Sequence, residues 1–520
     1  MSSASQYTPS ALRHYVRENP LLIAFAVLAV VLRIAHWAYT GRIWEDALIT
    51  LTPAENFWDG MGFTHHPSEP RVHSFTSPIS VLIPLVGVLF GNGLLALRLT
   101  ALAGSVAAIY FAYSIGRKLE FGKPAQVLLL GYLAVDQLQI FFGMSGMETQ
   151  VVTAILLAGV YFLFAERWIA LGVACGLALL SRPEFQAFVA LVGLWLLIFR
   201  RDALVRVIAA ALAIVLPWAI FAISYFGSIV PNTIRAKTWG GRISLFDHTI
   251  DAMTQYFLES WKHMAPFLEW SITNTAPVPR ALIVAVTLTV LALAVIGMIL
   301  VLARRNTKMM VVVATVLVFI GYKTVATLNP YYMWYLPPFI ALLFLIAAFG
   351  LNAIQGRAQK VAAALAAALV LAYGIHVPYT FYTDRIVQDE IEIAVRQRVG
   401  KRLNELMGPN DSVFLEPLGY MGYEIRGKTT YDFPGLSSPK VVEVIRNLPE
   451  VRMGGVIDRL KPSYAVLRPQ ELDEFQRYFP ETFSHYREVD RITAKPLFIE
   501  RWGYSVYAVD TDFTIRKYTP

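Results

Sequence analysis

Cysteine is all but missing. Cys175 is the single one, so neither an intramolecular disulfide nor a cysteine-cluster metal site is open to this chain. Its place inside an apolar run marks it as a small helix-packing residue. Charge is scarce too: 16% of the 520 residues are charged and 56% are hydrophobic, far from ordinary globular usage. No GxxxxGK[ST] phosphate loop occurs, which argues against an ATP-driven pump. Soluble-type repeats and low-complexity tracts are lacking as well.

Long apolar runs fill the space these absences leave. Several reach about 18 nearly uncharged residues, enough to cross a hydrocarbon core of ~30 Å. We count about eleven crossings, at 21–39, 93–115, 125–142, 148–165, 167–181, 185–199, 204–226, 279–303, 309–328, 332–350 and 360–381. The first follows a polar start and has no small-residue cleavage site, so it reads as a retained helix rather than a signal peptide. Arg13, Arg17, Arg117, Lys118, Lys123, Arg167, Arg200, Arg201, Arg304, Arg305, Lys308, Arg357 and Lys360 then fall on one side if the amino terminus is cytoplasmic. That asymmetry accounts for the net charge of +8 without nucleic acid. It also requires the short segment 78–90, PISVLIPLVGVLF, to lie at the surface or dip in and out, as its two prolines and its length suit.

The opposite, outward turns carry a different set of residues. They hold Glu45 and Asp46, Glu148, Arg182 with Glu184, Asn232 with Arg235 and Lys237, and Tyr331 with Tyr332. Groups scattered in sequence thus gather at one membrane face, as a site at the outer leaflet demands. After Tyr382 the composition turns soluble: a stripe of Val395, Val399, Leu403 and Leu406 leads into strands at 412–416 and 463–468, with helices near 441–448 and 470–479. The expected fold is mainly α, a polytopic transmembrane bundle over 1–382 with external loops at 40–92 and 227–278. An extracytoplasmic α/β domain over 383–520 follows, suited to a lid or an acceptor-binding module. Trp239, Tyr256 and Trp270 suggest membrane-surface helices in the second loop.

Segment 42–78, RIWEDALITLTPAENFWDGMGFTHHPSEPRVHSFTSP, is the candidate site. Acids at a membrane surface are costly unless they have a task there. Sugar transfer to a hydroxyl needs a carboxylate that accepts the hydroxyl's proton as the glycosidic bond forms. Glu45 and Asp46 fit that need; the same pair also suits a helix amino terminus, complementing its dipole. Asn56, Asp59, Gly60 and Gly62 make an N-x-x-D-G-x-G turn, and Arg71, His73, Thr76 and Ser77 bring the chain back. His65, His66 and His73 leave a divalent metal open, although three histidines in a loop are more often solvated.

The ordered set ED-A-L-I-T, N-x-x-x-G-x-G and R-V-x-x-x-T-S-P resembles the first external loop of bacterial lipid-linked glycosyltransferases of the GT-C superfamily. It looks nearest to the terminal β-(1→2) arabinofuranosyltransferases of arabinogalactan assembly. That group carries two adjacent aspartates where this chain has Glu45 and Asp46. FGMSGMETQ (142–150), LLSRPEF (179–185) and VPNTIRAK (230–237) are similar to the family's S-G-x-E-T, S/T-R-P-[DE] and P-N-T-x-x-A-K elements.

The resemblance covers roughly 20–350 and implies a transferase in a bacterial inner membrane, working on the external face with no required cofactor. The donor it implies is a polyprenyl-phosphate sugar; the acceptor is an envelope glycan or glycolipid. Asp46 is then the general base with Glu45 as helper or metal contact, in a displacement with inversion. Arg182, Lys237 and Arg235 neutralise the departing phosphate. Glu148, Glu184, Asn56, Arg71, His73, Thr76, Ser77, Asn232 and Tyr331 become substrate contacts.

Each motif alone has a plainer reading. Arg182 suits a snorkelling arginine, Glu148 a helix cap, and Tyr331, Tyr332 and Trp334 an interfacial aromatic belt. GYMGYEI…YDFPGLSSP (419–439) suits either glycan stacking or a strand-turn-strand core. A transporter or flippase of lipid-linked sugars is the main rival, yet it calls for mid-depth polar sites on broken helices and internal repeats. A non-catalytic envelope assembly protein is the other, and it leaves the carboxylates and cations unexplained.

Overall fold

The structure, a computed structural model, describes residues 14, 16–238, 280–325, 333–496 and 512–520. Its membrane part begins with α1 (Pro20–Thr40), α2 (Glu45–Trp58), α3 (Pro78–Leu89) and α4 (Gly93–Lys118). Next come α5 (Lys123–Val135), α6 (Gln137–Met144), α7 (Thr149–Ala165), α8 (Trp168–Ser181), α9 (Gln186–Phe199) and α10 (Arg201–Phe226). The short α11 (Asn232–Lys237) precedes α12 (Arg280–Ala303), α13 (Thr307–Val325), α14 (Leu336–Leu351) and α15 (Gln359–Gly374).

The described residues of every expected crossing fall mostly on helix, but the lengths differ from expectation. Among the described residues, five helical runs are long and apolar enough to cross a membrane, or six if α5 and α6 form one bent span. Others, such as the 14-residue α8, reach only roughly 21 Å at 1.5 Å per residue. The reason is packing. Along α14 nearly every side chain is buried, so its apolarity faces other helices rather than lipid. By contrast α10 buries four residues, and Val205 and Ile220 stand exposed on it. Segment 78–90 is the 12-residue α3, with Pro84 inside it.

The stretch read as one span at 125–142 is broken by 41° at Asp136. Such a break frees backbone carbonyls inside the bundle, where no water can satisfy them. Arg33 of α1 supplies the partners: its guanidinium donates to the carbonyls of Leu133 (3.0 Å) and Ala134 (3.2 Å) and to Gln150 (3.2 Å). Asp136 caps α6 by accepting from the amide of Gln139 at 3.0 Å. Beyond the break Gly146 has φ +92, and a side chain there would meet Ala47 at 2.9 Å.

After α15 the helix does not stop where the composition changes. α16 (Val377–Val387), a π-helical stretch (Gln388–Gln397) and α17 (Arg398–Leu406) carry it on. Strands β1 (Ser412–Leu415), β2 (Thr429–Asp432), β3 (Tyr464–Leu467), β4 (Tyr486–Thr493) and β5 (Asp512–Tyr518) follow in the order β2-β1-β3-β5-β4. β1 runs parallel to β2 and β3, whereas β5 is antiparallel to β3 and β4. Alternation along β1 sends Val413 and Leu415 to one face and Phe414 to the other. The stripe Val395, Val399 and Leu403 covers the first face, and Val441, Ile445 and Phe475 cover the second.

α2 belongs to both halves of the molecule. Ile49 enters the first of those sheet clusters, while Leu48 and Leu51 pack on Tyr420. Tyr420 lies in α18 (Gly419–Glu424). It is buried, and its hydroxyl lies 3.0 Å from both the carbonyl of Ile43 and the side-chain oxygen of Gln388, sharing its proton between them. The GYMGYE segment is therefore core rather than a stacking platform for sugar.

Candidate functional site

A cavity of 420 Å³ lies where α2, the turns before α7 and after α8, and the sheet domain meet. Glu45 and Asp46 enter it from the first turn of α2, where the helix dipole favours their negative charge. Thr76 and Ser77 come from the returning loop, Glu148 from the turn before α7, Arg182 from the end of α8 and Lys237 from α11. Five segments spread over nearly 200 residues of sequence thus supply one pocket.

The cations stand beside Asp46. Arg182 donates twice to Glu148, through Nε at 3.0 Å and Nη2 at 2.8 Å, and once to the carbonyl of Trp334 at 2.6 Å. Glu148 therefore holds an arginine rather than capping its helix. Lys237 Nζ donates to the hydroxyl of Tyr335 at 3.3 Å, and the same ring lies 5.1 Å from the Arg182 guanidinium. Glu45 points the other way, accepting from Arg396 of the π-helical stretch at 3.2 Å. Arg396 also pairs with Glu392, which Arg42 holds at 2.9 Å.

These surroundings separate the two acids. Burial pushes the Glu45 carboxyl up to about 8, and Arg396 offsets only part of that, with Asp46, Glu392 and Glu416 adding to the rise. Burial raises Asp46 as well, but Lys237 and Arg182 pull it back toward ionisation. Of the pair, Asp46 feels two cations, Lys237 and Arg182, against Glu148, whereas Glu45 has one cation, Arg396, against several acids. That is the pattern by which neighbouring carboxyls take different roles.

Other residues singled out in the sequence lie elsewhere. Asn56 is fully buried and donates to the carbonyls of Thr64 (2.7 Å) and His65 (3.2 Å), tying the loop together. Arg71 is exposed, 4.5 Å above the Tyr225 ring, and Arg235 is exposed on α11. His73 is buried in a stack on Phe226. Asn232 donates to the carbonyls of Gly435 (2.8 Å) and Leu436 (3.2 Å), latching α11 to the sheet domain. Glu184 is buried outside the cavity wall. Tyr331, with Tyr332, lies outside the described residues, as do Trp239, Tyr256 and Trp270.

The three histidines do not converge. His65 meets the carbonyl of Ile49, and His66 meets Ser68 and the carbonyl of Thr430. Burial lowers His65 to about 3 and His66 and His73 to about 4, leaving them neutral. No group of three or more metal-ligating side chains occurs among the described residues. Sequence reasoning missed Tyr335, Thr233, Arg396, Glu416 and Arg468. The last two had a usable signal, since each ends a predicted strand.

Solved structures share this architecture. ArnT from Cupriavidus metallidurans in the apo state aligns with a TM-score of 0.59 at 13% identity, over 96% of this chain and 98% of that one. The same protein bound to undecaprenyl phosphate gives 0.56 at 15%, over 95% and 97%. The Archaeoglobus fulgidus oligosaccharyltransferase, tethered with an acceptor peptide, gives 0.52 at 15%, over 88% and 70%. Residues 385–513 match a family described as a domain of unknown function, DUF8728. No curated protein sequence matches the chain. The fold is that of these solved structures, a mainly helical bundle followed by a small sheet domain. With five or six helical runs long and apolar enough to cross a membrane among its described residues, the chain is a multi-pass membrane protein.

Proposed function

We propose that this chain is a glycosyltransferase of a bacterial cytoplasmic membrane. It moves a sugar from a polyprenyl-phosphate donor to a hydroxyl of an envelope glycan or glycolipid, on the external face. The observation that carries this reading is one cavity holding Asp46 beside Lys237 and Arg182. A base and two cations are what displacement of a lipid phosphate by a hydroxyl requires. The ArnT structure bound to undecaprenyl phosphate supports a donor of that class.

Asp46 takes the proton of the acceptor hydroxyl as its oxygen attacks the anomeric carbon. The bond from that carbon to the phosphate oxygen breaks, and its electron pair leaves with the lipid phosphate. Lys237, and Arg182 steadied by Glu148, offset the charge that develops there. A single displacement inverts the anomeric carbon. Arabinofuranose is the sugar the sequence resemblance favours. The amino terminus faces the cytoplasm, and residues 383–520 form the external module that closes the cavity. Thr76 hydrogen-bonds Thr233 at 2.9 Å, which ties the returning loop to α11 beside the donor phosphate.

The test is direct. Purified protein incubated with a panel of polyprenyl-phosphate sugars is expected to release lipid phosphate from at least one. Release from none, with folded protein in hand, rejects the reading. A second prediction concerns alignment of the base. A methyl group added at Gly419 would lie 2.4 Å from the Glu45 Cβ and 2.7 Å from its carbonyl oxygen. Gly419→Ala is therefore expected to push the first turn of α2 aside and cut transfer roughly 100-fold, the cost of about 1 Å of misplacement. Wild-type turnover in that variant, measured alongside thermal unfolding, contradicts the alignment role.

A further inference from the structure

The three parallel strands end on the same cavity as Asp46. Glu416, Pro417 and Leu418 follow β1, Phe433 and Pro434 follow β2, and Arg468 follows β3, all in its wall. The order β2-β1-β3 puts the reversal of strand winding between β1 and β3. In open α/β sheets, ligands bind in the crevice outside the carboxyl ends of the strands at such a reversal. Glu416 and Arg468 stand on either side of it, and the Arg468 guanidinium donates to the Glu416 carboxylate. Arg468 is held in place by Glu471, which accepts from its backbone amide and from Nε, both at 2.8 Å.

We propose that this crevice is the acceptor subsite, and that it takes the uncharged, hydroxyl-rich end of a glycan. This rests on the transferase reading above. Glu416 accepts from one sugar hydroxyl and Arg468 donates to its neighbour, as a carboxylate and a guanidinium do for a diol. Phe433 and Pro434 offer an apolar face to the C–H side of the ring. Charge selects the class: Arg468 stands against two carboxylates here, whereas Lys237 and Arg182 lie at the Tyr335 end. A phosphorylated acceptor would meet like charge at Glu416. Glu45, near enough to feel the Glu416 charge, shows how close this wall comes to the base.

The experiment uses the full chain in lipid nanodiscs with the donor found in the panel. Acceptors are neutral linear pentose and hexose oligosaccharides and the same oligosaccharides carrying a terminal phosphate. Neutral acceptors are expected to show kcat/KM at least about tenfold higher. Glu416→Gln is expected to raise acceptor KM about tenfold while donor KM moves less than about twofold. Met453→Trp, at a half-buried position in the cavity wall, is expected to do the same by filling the crevice, should Glu416→Gln fold poorly. Equal or better use of the phosphorylated acceptors overturns the proposal. So does a wild-type acceptor KM in the folded variants, or an equal change in both KM values. Donor hydrolysis without acceptor reports separately on the transferase reading. If hydrolysis occurs but acceptor KM is unmoved, only the crevice assignment fails; if no donor is turned over at all, both fail.

Discussion

Asp46→Asn is expected to lower transfer by about 10²–10⁴-fold, the usual contribution of a positioned general base. Expression and donor binding should survive, because Asn keeps the shape and the helix start. The informative contrast is Glu45→Gln. With its carboxyl pushed to about 8 by burial, Glu45 is protonated at neutral pH, and a neutral amide replaces it with little change. That variant is expected to keep more than about a tenth of wild-type activity at pH 7. Reversal of the two outcomes would make Glu45 the base and Asp46 its helper.

The pair also predicts pH behaviour. A carboxyl raised by folding favours the folded state at low pH, and that contribution is lost as pH rises through the folded value. Wild-type thermal stability is therefore expected to decline between about pH 5 and pH 9 through Glu45, and Glu45→Gln should flatten that decline. Activity runs the other way. Asp46 must be ionised to act, and burial raises its proton affinity, so the acid limb of the rate profile should sit above the ordinary aspartate range. Melting curves and rates across the same buffers separate the two effects.

Arg182→Met is expected to be the most destabilising single change at the site. Arg182 and Glu148 are 3% and 5% exposed, and removing the arginine leaves a buried carboxylate without its partner. Such losses cost about 3–5 kcal/mol, and transfer should fall by about 10²–10³-fold through loss of phosphate stabilisation. The double variant Arg182→Met with Glu148→Gln removes the orphaned charge. It is expected to regain most of the stability and none of the transfer. Recovery of transfer in the double variant would reduce Arg182 to a purely structural role.

Much of this candidate site was legible in the sequence because its charged residues sit at turns between apolar runs, which hydropathy exposes. Glu45, Asp46, Glu148, Arg182 and Lys237 each interrupt or flank an apolar run, and all five line one cavity. Periodicity also marked the stripe Val395, Val399 and Leu403 and two of the parallel strands. What escaped depends on tertiary contact. Asn56 and His73 look like loop ligands until the loop is seen to fold inward on them. The break at Asp136 is invisible to a hydropathy window, because the arginine that satisfies it lies on another helix, about a hundred residues away. Glu416 and Arg468 became site residues only once the strand order was known.

The seating of Ile49 in the sheet core bears on inheritance. Recombination between relatives is expected not to trade the last quarter or so of this chain as a cassette, since α2 is one of its foundations. Lineages that acquire a new sheet domain are expected to alter residues 42–51 in concert. Hybrids spliced near residue 383 should fail unless both stretches come from one parent.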